Sequence, residues 1–410
     1  MDVSPGALSR LRSARSRRPA LSAFVGVFAA TLLGFLAVGG VLPVLPRYVR
    51  GPIGAGDLAV GIVIGAFAFT AVIGRPVGGH MADARGRRAI VVAGLLVCAA
   101  AGALYLLPFG VPGLILARLV LGVGDGWVFT AGATWIVDLA PEERRGQAIG
   151  LFGLAIWSGL SAGPIIGQAI LDAAGYHAVF VFSAITPLLG AAVAWRVPDS
   201  PVASTPRVPG QPLVPRPVVA PGIALALANI GYGTVSGFVV LHLAQRGVGH
   251  GATVFTVFAV SVVVTRLIAG RLPDTLGPLR AAAAAGCAEA VGLALLALAH
   301  SLPVALAGGI VMGWGFSLLF PSLALVAISS IPEHRRGAAL GTFTAFFDVG
   351  FGLGAPMAGA VASLAGYPAA FWVASGAAAA GVITVALLGG RRGGSRDASC
   401  AGGEVAWPSA

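Results

Sequence analysis

The sequence contains no lysine: all 26 of its basic residues are arginine. Charge of either sign is scarce, at 10% of 410 residues, where soluble domains carry roughly 25%. With 57% of the residues hydrophobic, a water-soluble core of this chain would have nothing polar to cover it. Cysteine is nearly absent too. Cys98 and Cys287 sit in apolar stretches and Cys400 near the end of the chain, which suggests neither a disulfide framework nor a thiolate metal site. The six histidines fall in loops or near helix ends, and none pairs with a nucleophile or a second ligand. No HExxH spacing occurs, nor a GxxxxGK[ST] phosphate loop, so metalloprotease chemistry and ATP drive are not expected. No cofactor or metal is expected. The formal charge of +11 does not mark a nucleic-acid surface, because the arginines have no aromatic interleaving or binding motif. No cleavable signal peptide is expected either: the Arg-rich residues 10–18 precede an apolar run too long for a signal core.

What the chain does have is twelve apolar runs, from 21–45 and 58–79 through to 338–363 and 367–389. A bilayer core of about 30 Å needs roughly 20 apolar residues per helical crossing. Twelve crossings therefore account for most of the chain and leave short loops and two tails. Only one connector differs. Residues 198–218 are Pro-rich and polar, incapable of helix, and read as a linker. The expected organisation is an all-α integral membrane protein: tail 1–20, six-helix bundle 21–197, linker 198–218, six-helix bundle 219–389, tail 390–410. Arginine crowds alternate loops, while the others hold only Arg47, Arg50 and Arg246. Positive-inside places both termini in the cytoplasm of a multi-pass plasma-membrane protein.

An internal repeat runs at a single offset of 191 positions. It carries Arg75 to Arg266, Asp83 to Asp274, Gly86 to Gly277, Gly122 to Gly313, Gly124 to Gly315 and Gly175 to Gly366, and PEERRGQAIG at 141 to PEHRRGAALG at 332. Two similar bundles that rock about a site between them are what alternating access needs.

Between the second and third runs the chain reads Gly79-His-Met-Ala-Asp83-Ala-Arg-Gly86-Arg87-Arg88, with a weaker copy at Gly270–Arg280. Gly86 permits left-handed backbone, Asp83 can pair with an arginine or face a helix N-terminus, and the arginines anchor the inner surface. This paired loop resembles the signature of the major facilitator superfamily, over nearly the whole chain outside the tails. The first half is similar to the twelve-helix drug/proton antiporter branch: Pro43 and Pro46 close the first helix, Arg118-x-x-x-Gly122-x-Gly124 resembles an element associated with proton coupling, and Gly159-x-x-x-Gly163-Pro164-x-x-Gly167 resembles the antiporter motif. The resemblance implies that Asp83 sits against the helix start near Gly337 to Thr342 as a conformational latch, with Asp138 pairing with Arg85 or Arg87, and with Arg88 and Asp274 in the same loops. The glycines four apart make a smooth stripe for close helix contact, and Pro164 would bend the helix.

Charges inside a membrane cost about 2.5–3.5 kcal/mol on insertion scales, so each asks for a partner or a cavity. Four stand out: Arg118, Asp125, Glu289 and Asp348. Arg118 and Asp125 share a helix face about 10 Å apart, continued by Phe129 and Gly132. Asp125 departs from the family pattern and reads either as a cavity-lining proton or substrate carboxylate or as the structural partner of Arg118. Asp348 reads as a cavity residue or an inter-helix partner, and Glu289 as a neutral acid bonded to a neighbouring helix. Asn229, Tyr232 and Ser236 form a polar stripe on the seventh helix, facing a cavity or gluing helices together. Trp157, Trp314 and Phe129 are candidate aromatic walls.

The function expected from these features is a secondary active, proton-coupled exporter of small amphipathic or drug-like molecules, monomeric, with solute, protons and lipid as partners. An uptake symporter or facilitator for a sugar, acid or peptide is the alternative on the same scaffold; a membrane-embedded enzyme is the remote one.

Overall fold

In a bilayer the backbone must satisfy its own polar groups, so runs this apolar and this long become helices. The computed structural model describes residues 5–141, 144–199, 215–332 and 336–400 and is helical almost throughout them. In chain order the helices are α1 (Pro5–Val41), α2 (Leu45–Arg50), α3 (Asp57–Arg85), α4 (Arg87–Leu104), α5 (Gly110–Asp138), α6 (Arg145–Trp195), α7 (Arg216–Gln245), α8 (Gly251–Ala269), α9 (Leu272–Leu276), α10 (Pro278–Ala297), α11 (Leu302–Ile328), α12 (Arg336–Ala365) and α13 (Tyr367–Cys400). Eleven of the described segments are long and apolar enough to cross a membrane. One of these is too long for a single crossing. At 1.5 Å per residue, the 51 residues of α6 would reach about 75 Å. Gly175, at φ 77° and ψ −177°, breaks it into two limbs, so the described segments provide twelve crossings.

The repeat is visible in the backbone. Gly366, 191 positions after Gly175, separates α12 from α13 at φ 83°. Gly86 (φ 94°, ψ 152°) and Gly277 (φ 84°, ψ 144°) likewise make the same left-handed corner in the two halves. The packing repeats as well. Gly122 closes against the carbonyl of Phe67 and Gly313 against that of Phe258; Gly124 meets Gly94 and Cys98, and Gly315 meets Ala285 and Glu289. Each of these pairs obeys the same offset, so small residues set helix distances identically in both bundles.

Three boundaries differ from expectation. The helix of α1 begins at Pro5 and that of α13 runs to Cys400, into the segments read as tails, although Pro19 lies inside the first of them. Helix α7 starts at Arg216 with Pro217 in its first turn, inside the predicted linker. Proline is tolerated there because the first N–H groups of a helix have no partner to lose. The remainder of that linker, 200–214, lies outside the described residues.

Within the N-terminal bundle α1 packs on α6, and α5 on α3 and α4; within the C-terminal bundle α7 packs on α12 and α13, and α11 on α8 and α10. The bundles meet where α3 lies along α12 and the first limb of α6 along α8. The α3–α12 seam starts far from the Arg-rich loops, where Gly359 touches the Asp57 carbonyl and Gly61 and Gly65 nest against Pro356. At that end the hydroxyl of Tyr367 donates to Asp57 (2.9 Å), which also pairs with Arg50 at 3.3 Å. The face opposite the Arg-rich loops is therefore closed.

Candidate functional site

At the other end of this seam, α3 projects Arg75 between the bundles. Its Nε and Nη2 donate to both oxygens of Asp348 on α12, at 2.6 and 2.9 Å. Nη2 also lies 3.6 Å from Asp125 on α5, and the ring of Phe129 is 4.1 Å from the guanidinium carbon. Asp348 is 1% exposed and Asp125 7%. Three charges are thus held out of water by one another. The fork geometry of guanidinium on carboxylate gives two parallel charge-assisted bonds, and they join the N-terminal bundle to the C-terminal one.

The pairing of Arg118 with Asp125, the second of the two readings of Asp125, does not occur. Two helical turns separate them along α5, and Arg118 instead donates to the carbonyls of Val63 (3.2 Å) and Ile64 (2.8 Å) on α3, with the Phe67 ring 4.7 Å away. Among the described residues its Nη1 has no hydrogen-bond partner, and Arg118 borders a small cavity lined by Val38, Val41, Tyr105 and Ser183. Arg75, the true partner of Asp125, is absent from the sequence-based list of intramembrane charges. The signal that could have found it was the repeat itself, which sets Arg75 and Arg266 at matching positions inside two apolar runs.

Above the ion triad, on the closed side, rings from both bundles meet around Tyr232. Trp157, Phe255, Phe258, Phe316, Phe347 and Phe351 have centroids 5.1–6.4 Å from it. Trp157 comes from the first limb of α6 and the others from α7, α8, α11 and α12. Asn229 is buried beside this cluster and donates back to the Leu225 carbonyl at 2.9 Å; Ser236 is buried one turn beyond Tyr232. Trp314 stands apart at 39% exposure. Glu289 is fully buried, and neither of its oxygens meets a donor, so the expected bond to a neighbouring helix is missing. It packs against Gly231 and Gly315 inside the C-terminal bundle.

At the Arg-rich face, Arg87 pairs with Asp83 and, at 3.2 Å, with Asp138. The N–H of Arg88 donates to Asp199 (3.1 Å), which caps α4 and fills the space beside Gly86. Asp83 is 54% exposed on its side chain and has Arg87 as its partner; of the helix start near Gly337 to Thr342 that the resemblance sets against it, the side chains of 337 and 338 lie outside the described residues. Gly79 faces Thr130 of α5. In the second copy Asp274 is exposed and has no side-chain partner among the described residues; the counterpart of Arg87 is Pro278 and that of Asp138 is Ser329. A cation and an anion are missing from that corner, so no equivalent cluster can form.

The glycine stripe of α6 works against its own bundle. Gly159 meets Leu32 and Leu36, and Gly163 and Gly167 meet Gly39 and Gly40 of α1, with Pro164 buried between them. In α12 the displaced Pro356 packs on Gly61 and Gly65 of α3 instead. The proline has moved from a contact within a bundle to the seam between bundles.

Comparison with known proteins gives a consistent result. The family model of the Major Facilitator Superfamily matches residues 27–288 and 222–399. An MFS-type transporter of Salmonella typhimurium is 32% identical over 370 residues, covering 88% of this chain and 95% of that one. Among solved structures, the nucleoside transporter NupG superposes with a TM-score of 0.73 at 15% identity, over 89% of this chain and 99% of that one. A bacterial homologue of the human lysosomal transporter Spinster, inward-facing and unoccupied, gives 0.72 at 14%, over 90% and 95%. Two six-helix bundles related by a 191-residue repeat, meeting along two seams around a buried site, are thus found in a chain that belongs to the major facilitator superfamily of membrane transporters.

Proposed function

We propose that this chain is a proton-coupled antiporter of the plasma membrane that exports small amphipathic molecules by alternating access, with the Arg-rich loops and both termini in the cytoplasm. The observation that carries the reading is one guanidinium, Arg75, shared by two buried carboxylates from opposite bundles. A guanidinium with two acidic partners keeps one of them when the other takes a proton, so proton exchange never leaves Arg75 stranded. While both carboxylates are ionised, the Arg75–Asp348 fork locks α3 to α12 and the inward-facing form cannot slip outward empty. A proton on Asp348 weakens the fork, and the solute cavity then changes sides. The groups that bear on Asp125 are Arg75 of α3, Cys98 of α4, Arg118 of its own helix, Tyr232 of α7 and Asp348 of α12.

The test uses purified protein in proteoliposomes, with a fluorescent amphipathic dye identified by an efflux screen with and without a protonophore. Asp125→Asn is expected to abolish dye movement driven by an imposed pH gradient while dye–dye exchange persists. Unimpaired gradient-driven movement, in a variant whose melting temperature is unchanged, would remove Asp125 from coupling. The cluster at the Arg-rich face is read as a latch that closes against α12 when the bundles tilt the other way. Asp83→Asn is then expected to express and fold normally but to turn over more slowly; full transport rates from it would sink the latch. An uptake symporter would reveal itself in the same vesicles by dye moving with the proton instead of against it.

A further inference from the structure

The repeat places Arg266 of α8 where Arg75 stands in α3, and it would place Trp157 where Asp348 stands and Gly153 where Thr344 stands. Arg266 does face that segment: its Nη1 lies 3.2 Å from where a Cβ on Gly153 would be. Among the described residues its only hydrogen bond is from Nη2 to the Ser317 carbonyl, at 3.3 Å. Among the described residues no carboxylate pairs with it. One seam thus carries a guanidinium with its counter-ion. The matching seam carries a guanidinium with a glycine opposite it and an indole one turn further along α6.

The surrounding charges make the vacancy meaningful. Arg75, Arg118, Asp125 and Asp348 sum to zero when ionised, so Arg266 adds a positive charge that no carboxylate among the described residues pairs with. Arg266 is part-buried, and a cation within a membrane helix is costly without a partner. Gly153 leaves room at the guanidinium where any larger residue would crowd it. One turn away Trp157 begins the ring cluster, 5.3 Å from Phe316 and 6.4 Å from Phe258, and Phe316 precedes the Ser317 that holds Arg266 in place. A charged fork beside an aromatic wall recognises a planar apolar body with one anionic end.

We propose that Arg266 is the solute-recognition residue of the α6–α8 seam, and that the transported solutes are aromatic monocarboxylates or similar small organic anions. The proposal rests on the reading of a solute cavity between the bundles but not on proton coupling. The solute carboxylate takes the place at Arg266 that Asp348 takes at Arg75, and its ring lies against Trp157 and Phe316.

The test is equilibrium binding to the full-length protein in nanodiscs, without a gradient, using three probes that share one ring system: 2-naphthoate, 2-naphthamide and a naphthylmethyl trimethylammonium. The carboxylate is expected to bind about tenfold or more tightly than the amide, the margin of a charge-assisted bond, with the ammonium weakest. Arg266→Gln should remove that margin and leave amide affinity nearly unchanged, while Arg266→Lys should retain part of it. Equal affinity of the three probes, preference for the ammonium, binding of none, or an Arg266→Gln protein that still prefers the carboxylate each overturns the proposal. If Arg266→Gln does not fold, the probe series on the unaltered protein still decides the class. Naphthoate binding without gradient-driven flux would defeat proton coupling and keep this site; coupled flux of other solutes without naphthoate binding would do the reverse.

Discussion

Arg75→Ala is expected to lower the stability of the purified protein by about 3–5 kcal/mol, the usual effect of stranding buried charge by deleting one partner. The variant leaves Asp348 and Asp125 facing each other with no cation, each at most 7% exposed. The loss is expected to come from the orphaned carboxylates and not from missing packing. The same substitution made together with Asp125→Asn and Asp348→Asn should therefore recover most of the melting temperature. Asp348→Asn alone has a different signature. Arg75 keeps Asp125 as a partner, so stability should change little, but the one charged fork across the α3–α12 seam among the described residues is gone. Solute should then leak down its gradient without a pH difference. Thermal melts in detergent and paired flux measurements separate the two roles. A triple variant no more stable than Arg75→Ala would show that the triad is not what the arginine serves.

The second large effect lies at the closed end of the seam. Tyr367→Phe removes the hydroxyl that donates to Asp57 across the bundles. Hydrogen bonds to charged groups are worth about 1.5–3 kcal/mol, or roughly ten- to a hundredfold in an equilibrium. The rest of the α3–α12 contact there is glycine against proline, with little to replace it. The population open on that face should rise accordingly. Spin labels at Leu107 and Ser301, both exposed in loops of that face, in a background without the native cysteines, report the separation of the bundles. Distance distributions identical to those of the unaltered protein would show that the clasp does not set the conformational balance.

Much of the architecture follows from the sequence alone. Runs of about 20 apolar residues have no stable alternative to helix in a bilayer, and a 191-residue repeat forces two bundles to fold alike. The corner at Gly86 was readable because left-handed backbone favours glycine; Gly277, Gly175 and Gly366 were readable only as members of the repeat, and their backbone breaks came from the structure. The candidate carboxylates Asp125 and Asp348 were readable as well, since charge in an apolar run is conspicuous. Which charges meet was not. Arg118 lies on the same helix as Asp125, and periodicity alone ranks near neighbours in sequence above those 50 or 273 residues away. Only the packing of α3 on α5 and α12 brought Arg75 to both acids and gave Arg118 to backbone carbonyls. The same holds for Arg266. Its matching position was written in the repeat, but the absence of a counter-ion among the described residues, and the glycine set opposite it, are facts of the α6–α8 seam. Sequence fixes what each helix carries, because helix formation is local; the tertiary structure decides partners, because ion pairs form across helices that only packing places side by side.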